Sequence, residues 1–197
     1  MKKQLYIIYA VAASATVACT DLATTPRQTL TPEVALADLS GYEALAFSMY
    51  SRANNFDYYG QTMMIAPEIL ADNLRILANT GRYTGEEANG EREHIEIWDT
   101  DVYGGINDAN LIISGIDNEE VSGDKDWKAI IKGEAYFMRA LFYFDLSRVY
   151  GYEPGKEVNG FNLGPILRLE PTTAASQADF RTRATNVQVY EQIEQDL

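Results

Sequence analysis

The sequence predicts an all-α protein built of stacked helical hairpins, and three observations carry that prediction. Apolar residues recur at intervals of three and four from residue 31 onward, several of these stripes open on helix-start signals, and no run alternates convincingly with period two. The composition agrees. Of 197 residues, 46% are hydrophobic and 23% charged, the balance of a folded protein rather than a disordered one. The length suits one domain or the first part of a larger one.

The N-terminus is a different kind of segment. Lys2 and Lys3 precede an apolar and small-residue run of 14 residues, Leu5 to Ala18, broken only by Ser14 and Thr16. A spanning helix needs about 20 apolar residues, so this run has the size of a signal-peptide core. It ends in Thr16-Val17-Ala18-Cys19, and Cys19 is the sole cysteine of the chain. A lone cysteine forms no internal disulfide and no thiolate cluster. Placed here, it resembles the acylated cysteine of a bacterial lipobox, with Thr16 standing where a large aliphatic is usual. Residues 1–18 therefore read as a lipoprotein signal peptide and Cys19 as the lipid attachment site. Residues 19–30, polar and containing Pro26, read as a tether, and residues 31–197 as a truncated helical domain.

Within that domain, Thr31-Pro32-Glu33 is an N-cap followed by proline at the first helical position. Ser40-Gly41-Tyr42-Glu43 has the form of a capping box and leads into the stripe Leu45, Met49, Ala53 and Phe56. Met63 to Leu77 is a weaker helix with Pro67 inside it, and Asn79 to Glu93 is a structureless loop of 15 residues. Trp98, Val102, Ile106, Ala109, Ile113 and Ile116 make the next stripe, which places Trp98 at its head as a packing residue. Gly104 and Gly105 within it imply close approach of a neighbouring helix backbone or a kink.

The strongest helix follows Asp124. Ile131, Ala135, Met138, Phe142, Leu146 and Val149 form one face, and Phe137, Leu141 and Phe144 a second. A helix apolar on two sides requires cover on two sides, which fits the inner helix of a tetratricopeptide-style array. Tyr136, Tyr143 and Tyr150, spaced by 7, read as packing residues. Gly151 to Arg183 is an irregular excursion with a short extended piece at Gly164 to Leu169. Thr185-Asn186-Val187-Gln188 is a capping box that opens a last helix through Val187, Tyr190, Ile193 and Leu197. That helix runs to the end of the sequence, so the sequence reads as a piece of a longer one.

Charge and residue types exclude several functions. The formal net charge is −13, and without Lys2 and Lys3 the remainder carries 14 basic against 29 acidic residues. Nucleic-acid binding needs the opposite sign. His94 is the sole histidine and sits in a polar stretch, so neither a histidine metal site nor a Ser-His-Asp triad is supported, and no catalytic constellation, metal site or cofactor motif stands out. Paired acids such as Glu86-Glu87 and Glu119-Glu120 are common in so acidic a chain and read as solvated faces rather than a glycosidase pair.

Several segments together resemble the N-terminal part of SusD/RagB-like outer-membrane lipoproteins of Bacteroidota. They are the lipobox at Cys19, Trp98-Asp-Thr-Asp-Val-Tyr103, Ile106-Asn-Asp-Ala-Asn110 and Gly133-Glu-Ala-Tyr-Phe-Met-Arg-Ala140. Phe142-Tyr-Phe-Asp-Leu-Ser-Arg-Val-Tyr-Gly151 and Val189-Tyr190 through Asp196-Leu197 complete the set. The resemblance implies a longer chain with a tetratricopeptide-like scaffold, anchored by lipid and facing the cell surface. It also implies capture of oligosaccharide for a TonB-dependent transporter of the SusC type, without catalysis. In some relatives the ligand is peptide.

Sugar recognition combines an aromatic platform for the apolar face of a pyranose with planar polar side chains for its hydroxyls. The polar segment from Asp72 to Glu93 carries both, and Asp72, Asn73, Arg75, Arg82 and Tyr83 are the candidate ligand-binding residues. The competing readings are a tetratricopeptide-type scaffold lipoprotein that binds protein or peptide, and a lipid-anchored hydrolase whose active residues lie beyond residue 197.

Overall fold

A computed structural model describes residues 32–77, 81–90, 95–98, 101–177 and 179–197. The signal segment, Cys19, the tether, Thr31 and His94 lie outside the described residues. The chain divides into two compact units, residues 1–34 and 35–197. Of the first, only the opening turn of a short helix is described; that helix, α1, is Pro32–Ala35.

The second unit is helical. Its elements are α2 (Leu39–Ala53), α3 (Thr62–Leu70), α4 (Thr84–Glu87), α5 (Val102–Gly115), α6 (Lys125–Tyr150), a 3-10 turn at Ala175–Gln177, and α7 (Asn186–Asp196). The one isolated bridge among the described residues joins Leu163 to Thr185. No described helix is long and apolar enough to cross a membrane. α5 lies against both α2 and α6, and α7 packs on α6.

Local chemistry explains most boundaries. α6 starts where the Asp124 carboxylate accepts from Trp127 N at 2.8 Å, and α7 where Thr185 and Gln188 form the expected capping box. α2 departs from expectation. Its cap is Asp38, whose carboxylate accepts from Ser40 N at 3.0 Å and Gly41 N at 3.3 Å, so the Ser40 motif lies inside the helix. A carboxylate also favours the positive end of the helix dipole, which a serine hydroxyl does not exploit. α3 ends at Leu70, well short of Leu77, because Ala71 closes it and Asp72 takes a left-handed backbone, φ 60°. Pro67 already weakens the helix from within by removing a backbone donor. The stretch expected to be a structureless loop contains the short α4, entered through Tyr83 at φ 56°.

Most of the expected α5 and α6 stripes are buried in the core. On α2 the buried face is Tyr42, Ala46 and Met49, with Leu45 and Ala53 half-buried and Phe56 exposed. On α7 it is Val189 and Ile193, with Val187 and Leu197 exposed. Tyr42 and Met49 of α2, Ile106, Ala109 and Ile112 of α5, and Ile131, Ala135, Met138, Phe142 and Leu146 of α6 are all buried, with Val189 and Ile193 of α7. Gly104 and Gly105 are explained by side chains of neighbouring helices, not by a backbone approach. A Cβ on Gly105 would lie 2.6 Å from Cζ of the buried Phe142, and one on Gly104 would lie 2.8 Å from the Arg52 guanidinium carbon. The second face of α6 is only partly covered. Phe144 meets Tyr190 edge-on at 6.2 Å, while Phe137 remains half exposed.

Two buried polar clusters pin the bundle. Arg139 of α6 gives both Nε and Nη2 to the Asp196 carboxylate of α7, at 2.7 and 2.6 Å, and Nη1 to Asn110 Oδ1 of α5 at 2.7 Å. Asp145 of α6, fully buried, accepts from Tyr58 at 2.5 Å, Tyr59 at 2.7 Å and Arg148, which clasps the 54–61 turn onto the helix. Burial, and then the adjacent carboxylate, raise the Tyr58 and Tyr59 hydroxyls above their ordinary pKa, Tyr59 to about 12. Both therefore stay protonated donors at physiological pH.

Candidate functional site

α5 has two faces with different tasks. Val102, Ile106, Ala109 and Ile112 are buried in the bundle, whereas Tyr103, Asn107 and Asn110 recur at i, i+4 and i+7 on a polar stripe. That stripe is met by the extended segment 164–172, which contains the short extended piece expected at Gly164 to Leu169 and runs three residues beyond it. At its start Gly164 N donates to Ala184 O at 2.8 Å and Pro165 O accepts from Ala184 N at 3.1 Å. From Ile166 onward its backbone groups are met by side chains instead.

The pairing is regular. The Tyr103 hydroxyl donates to Ile166 O at 3.0 Å and accepts from Ile166 N at 2.9 Å. The Tyr143 hydroxyl of α6 does the same for Arg168, at 2.8 and 2.7 Å. Asn107 donates to Thr172 O at 3.2 Å and accepts from Thr172 N at 2.7 Å. Asn110 donates to Arg168 O at 2.9 Å and Glu170 O at 3.3 Å. A hydroxyl or a primary amide offers both donor and acceptor, so each can replace the edge of a neighbouring strand. Burial raises the Tyr103 and Tyr143 hydroxyls above their ordinary pKa, which keeps both in the neutral form this double role requires.

The same device acts on residues 95–98. The Tyr150 hydroxyl accepts from Ile97 N at 3.0 Å and donates to Ile95 O at 2.9 Å. Ile95 and Ile97 are buried, while Glu96 and Trp98 alternate outward. Trp98 is thereby 52% exposed, which corrects its reading as a packing residue at the head of a helix. α5 begins only at Val102, and residues 95–98 follow a period of two. The alternation Ile95-x-Ile97 was the available signal.

Trp98, the α5 stripe and the extended segment enclose a cleft of about 760 Å³. Ile166, Arg168, Glu170 and Thr172, alternate residues of the segment, form one wall, and Arg52 of α2 closes the far side. Arg52 binds Asp108 at 2.9 Å, and Ser48 donates to the same carboxylate at 2.8 Å. Arg168 binds Asp179 at 2.8 Å. Both cations of the cleft are thus offset by carboxylates, and Glu170 is its exposed acid. The result is an aromatic floor with polar edges and little net charge. Such a surface suits a neutral, hydroxyl-rich ligand with an apolar face better than an ionic one. Among the described residues, no group of three or more His, Cys, Asp or Glu could hold a metal ion.

The residues singled out from sequence lie elsewhere. Asp72, Asn73 and Arg75 are exposed after α3, with Asn73 Nδ2 donating to Glu68 at 2.9 Å. Arg82 stacks over Phe56 at 5.0 Å, and Tyr83 donates to Gln61 Oε1 at 3.2 Å. None of the five lines the Trp98 cleft. Tyr143 and Tyr150 pack, as expected, and also use their hydroxyls to hold the cleft's two walls, whereas Tyr136 is half-buried beneath the Arg139 guanidinium at 5.5 Å.

Residues 44–197 match a SusD-like protein family described as starch-binding and associating with the outer membrane. Comparison with curated proteins finds no match. Among solved structures, one similar chain is described as a putative sugar binding protein from Bacteroides vulgatus. It shares 24% identity and a TM-score of 0.63, over 80% of this chain and 35% of that one. Another is described as a SusD superfamily protein from Bacteroides thetaiotaomicron, with 25% identity and a TM-score of 0.62, over 81% and 36%. The chain thus spans about a third of the length of these relatives.

Proposed function

Because this chain belongs to the SusD-like family of starch-binding proteins that associate with the outer membrane, we propose that it binds neutral oligosaccharide in the Trp98 cleft. The observation that carries this reading is the half-exposed Trp98 ring in a cleft whose arginines are already neutralised by Asp108 and Asp179. An indole face provides the platform for the axial C–H groups of a pyranose, and Glu170 and Thr172 provide hydrogen-bonding edges. Capture without cleavage is part of the same proposal, and Glu170 is the one acid among the described residues that line the cleft.

The wider setting belongs to the same proposal. Cys19, acylated, would tether the protein to the outer membrane facing the cell surface, and a SusC-type TonB-dependent transporter would receive the ligand. The segment carrying Asp72, Asn73, Arg75, Arg82 and Tyr83 would form a further exposed contact surface for ligand.

The test is calorimetric titration of the full-length protein with oligosaccharides of several linkages, for wild type and Trp98→Ala. Binding by wild type that is lost in the variant, with no new reducing ends on incubation, is the expected result. Undiminished binding by Trp98→Ala would sink the cleft assignment, and product formation would sink the non-enzymatic one.

A further inference from the structure

The extended segment has a second side. Residues 166, 168, 170 and 172 face the Trp98 cleft, and the period of two sends Leu167 the other way. There it lines a separate, shallow depression of about 670 Å³ between the segment 180–184 and α7. Phe180 stands at its edge fully exposed, the most exposed large hydrophobic residue among those described. Among the described residues, a benzyl side chain this exposed gains nothing from packing.

The polar groups around Phe180 are hydroxyl, amide, carboxylate and guanidinium, and the two guanidiniums, Arg181 and Arg183, are already engaged by Asp179 and by backbone carbonyls. Thr182, Gln188, Glu191 and Gln195 line the same depression, three of them on one face of α7 at i, i+3 and i+7. Gln188 spends its oxygen on the capping box. The two sites are mechanically joined. Arg168, whose backbone is held by Tyr143 and Asn110 in the cleft wall, extends Nη1 to Asp179 Oδ1 at 2.8 Å and Nη2 to Asp179 O at 2.6 Å. Arg181 then binds the other oxygen of that carboxylate at 2.8 Å. Asp179 therefore fixes the backbone next to Phe180 relative to the wall of the cleft.

We infer that the Phe180 depression is a second saccharide subsite, and that the protein selects oligosaccharides long enough to cross the 164–172 segment from the Trp98 cleft to Phe180. This inference rests on the proposed function of the cleft. An aromatic face flanked by amide, carboxylate and hydroxyl groups, with its arginines already engaged, repeats the chemistry of the cleft. Its shallowness suits an added sugar unit on an extended chain rather than an isolated small ligand. Two weak sites joined by one flexible ligand give an affinity that grows with ligand length once both are reached.

The test uses the full-length protein and calorimetric titration with size-graded malto-, xylo- and manno-oligosaccharides, from disaccharide to heptasaccharide. For the series that binds, wild-type affinity should rise with length. Phe180→Ala should lower affinity for the longest members by about fivefold, the worth of one aromatic contact, and leave the shortest unchanged. Phe180→Trp should restore the loss. Phe180 is fully exposed among the described residues, and circular dichroism of both variants against wild type checks that the fold is kept. A Phe180→Ala profile identical to wild type at every length would overturn the inference while leaving the cleft reading intact. An equal loss at all lengths would overturn it too. Failure of wild type to bind any member would remove both readings together.

Discussion

Replacing Tyr143 by phenylalanine isolates the device that builds the cleft. The side chain is fully buried, and the substitution removes one oxygen while leaving the ring in place. That oxygen accepts from Arg168 N at 2.7 Å and donates to Arg168 O at 2.8 Å. The carbonyl keeps a second partner, Asn110 Nδ2 at 2.9 Å, so the amide is the group that loses its bond. A buried donor left unsatisfied costs about 1–3 kcal/mol, and removing the buried hydroxyl offsets part of this, so a net loss of about 1.5 kcal/mol is expected. Urea unfolding followed by circular dichroism should show a lower midpoint with an unchanged slope. Adding Asn110→Leu strips the carbonyl of its remaining partner. The double variant should therefore lose more than the sum of the singles, with a coupling of about 1 kcal/mol. A Tyr143→Phe loss under about 0.5 kcal/mol, together with strict additivity, would refute the view that side chains stand in for a strand here.

Arg139→Met should destabilise by about 3–5 kcal/mol, because it leaves the Asp196 carboxylate buried without its guanidinium partner and with Gln192 Nε2 as a donor; Arg139→Met/Asp196→Leu should recover part of the loss in the same urea assay. Two helix glycines should respond with opposite signs. Gly105→Ala drives a methyl against the buried Phe142 ring and should lower stability by about 1–3 kcal/mol, whereas Gly133→Ala meets nothing within 4 Å and should raise it by about 0.5–1 kcal/mol, read by thermal unfolding. Tyr59 titrates at about 12 in the folded protein against an ordinary 10.0, so its contribution is complete below pH 10 and fades as pH rises toward 12. Tyr59→Phe should remove that part of the alkaline decline, measured as the difference in urea midpoint between variant and wild type across the same pH range.

The scaffold was legible because burial on a helix leaves a period in the sequence. Ile131, Ala135, Met138, Phe142 and Leu146 were identified by spacing and are all buried, and the Thr185–Gln188 box lies at its predicted place. Trp98 was misread for the complementary reason. Its spacing to Val102 fits a helix, yet the two-residue alternation at Ile95 and Ile97 is too short to outweigh that fit without the Tyr150 hydroxyl that enforces it. The same limit applies to Asn107 and Asn110. Their polarity on an apolar helix signalled a need for partners, but those partners lie about 60 residues away, and local spacing carries no information about them.

What the sequence determined on its own was the class of the fold, the helices that carry it and the resemblance that the family match then showed. Those follow from short-range chemistry, from caps and from the period of apolar residues, which any contiguous stretch displays. The cleft was decided only in three dimensions. It exists because Tyr103, Asn107, Asn110, Tyr143 and Tyr150, on helices distant in the chain, hold two extended segments against the bundle and turn Trp98 outward. Hydrogen bonds between side chains and remote backbone leave no periodic trace, so the ligand surface emerges only once the helices have packed.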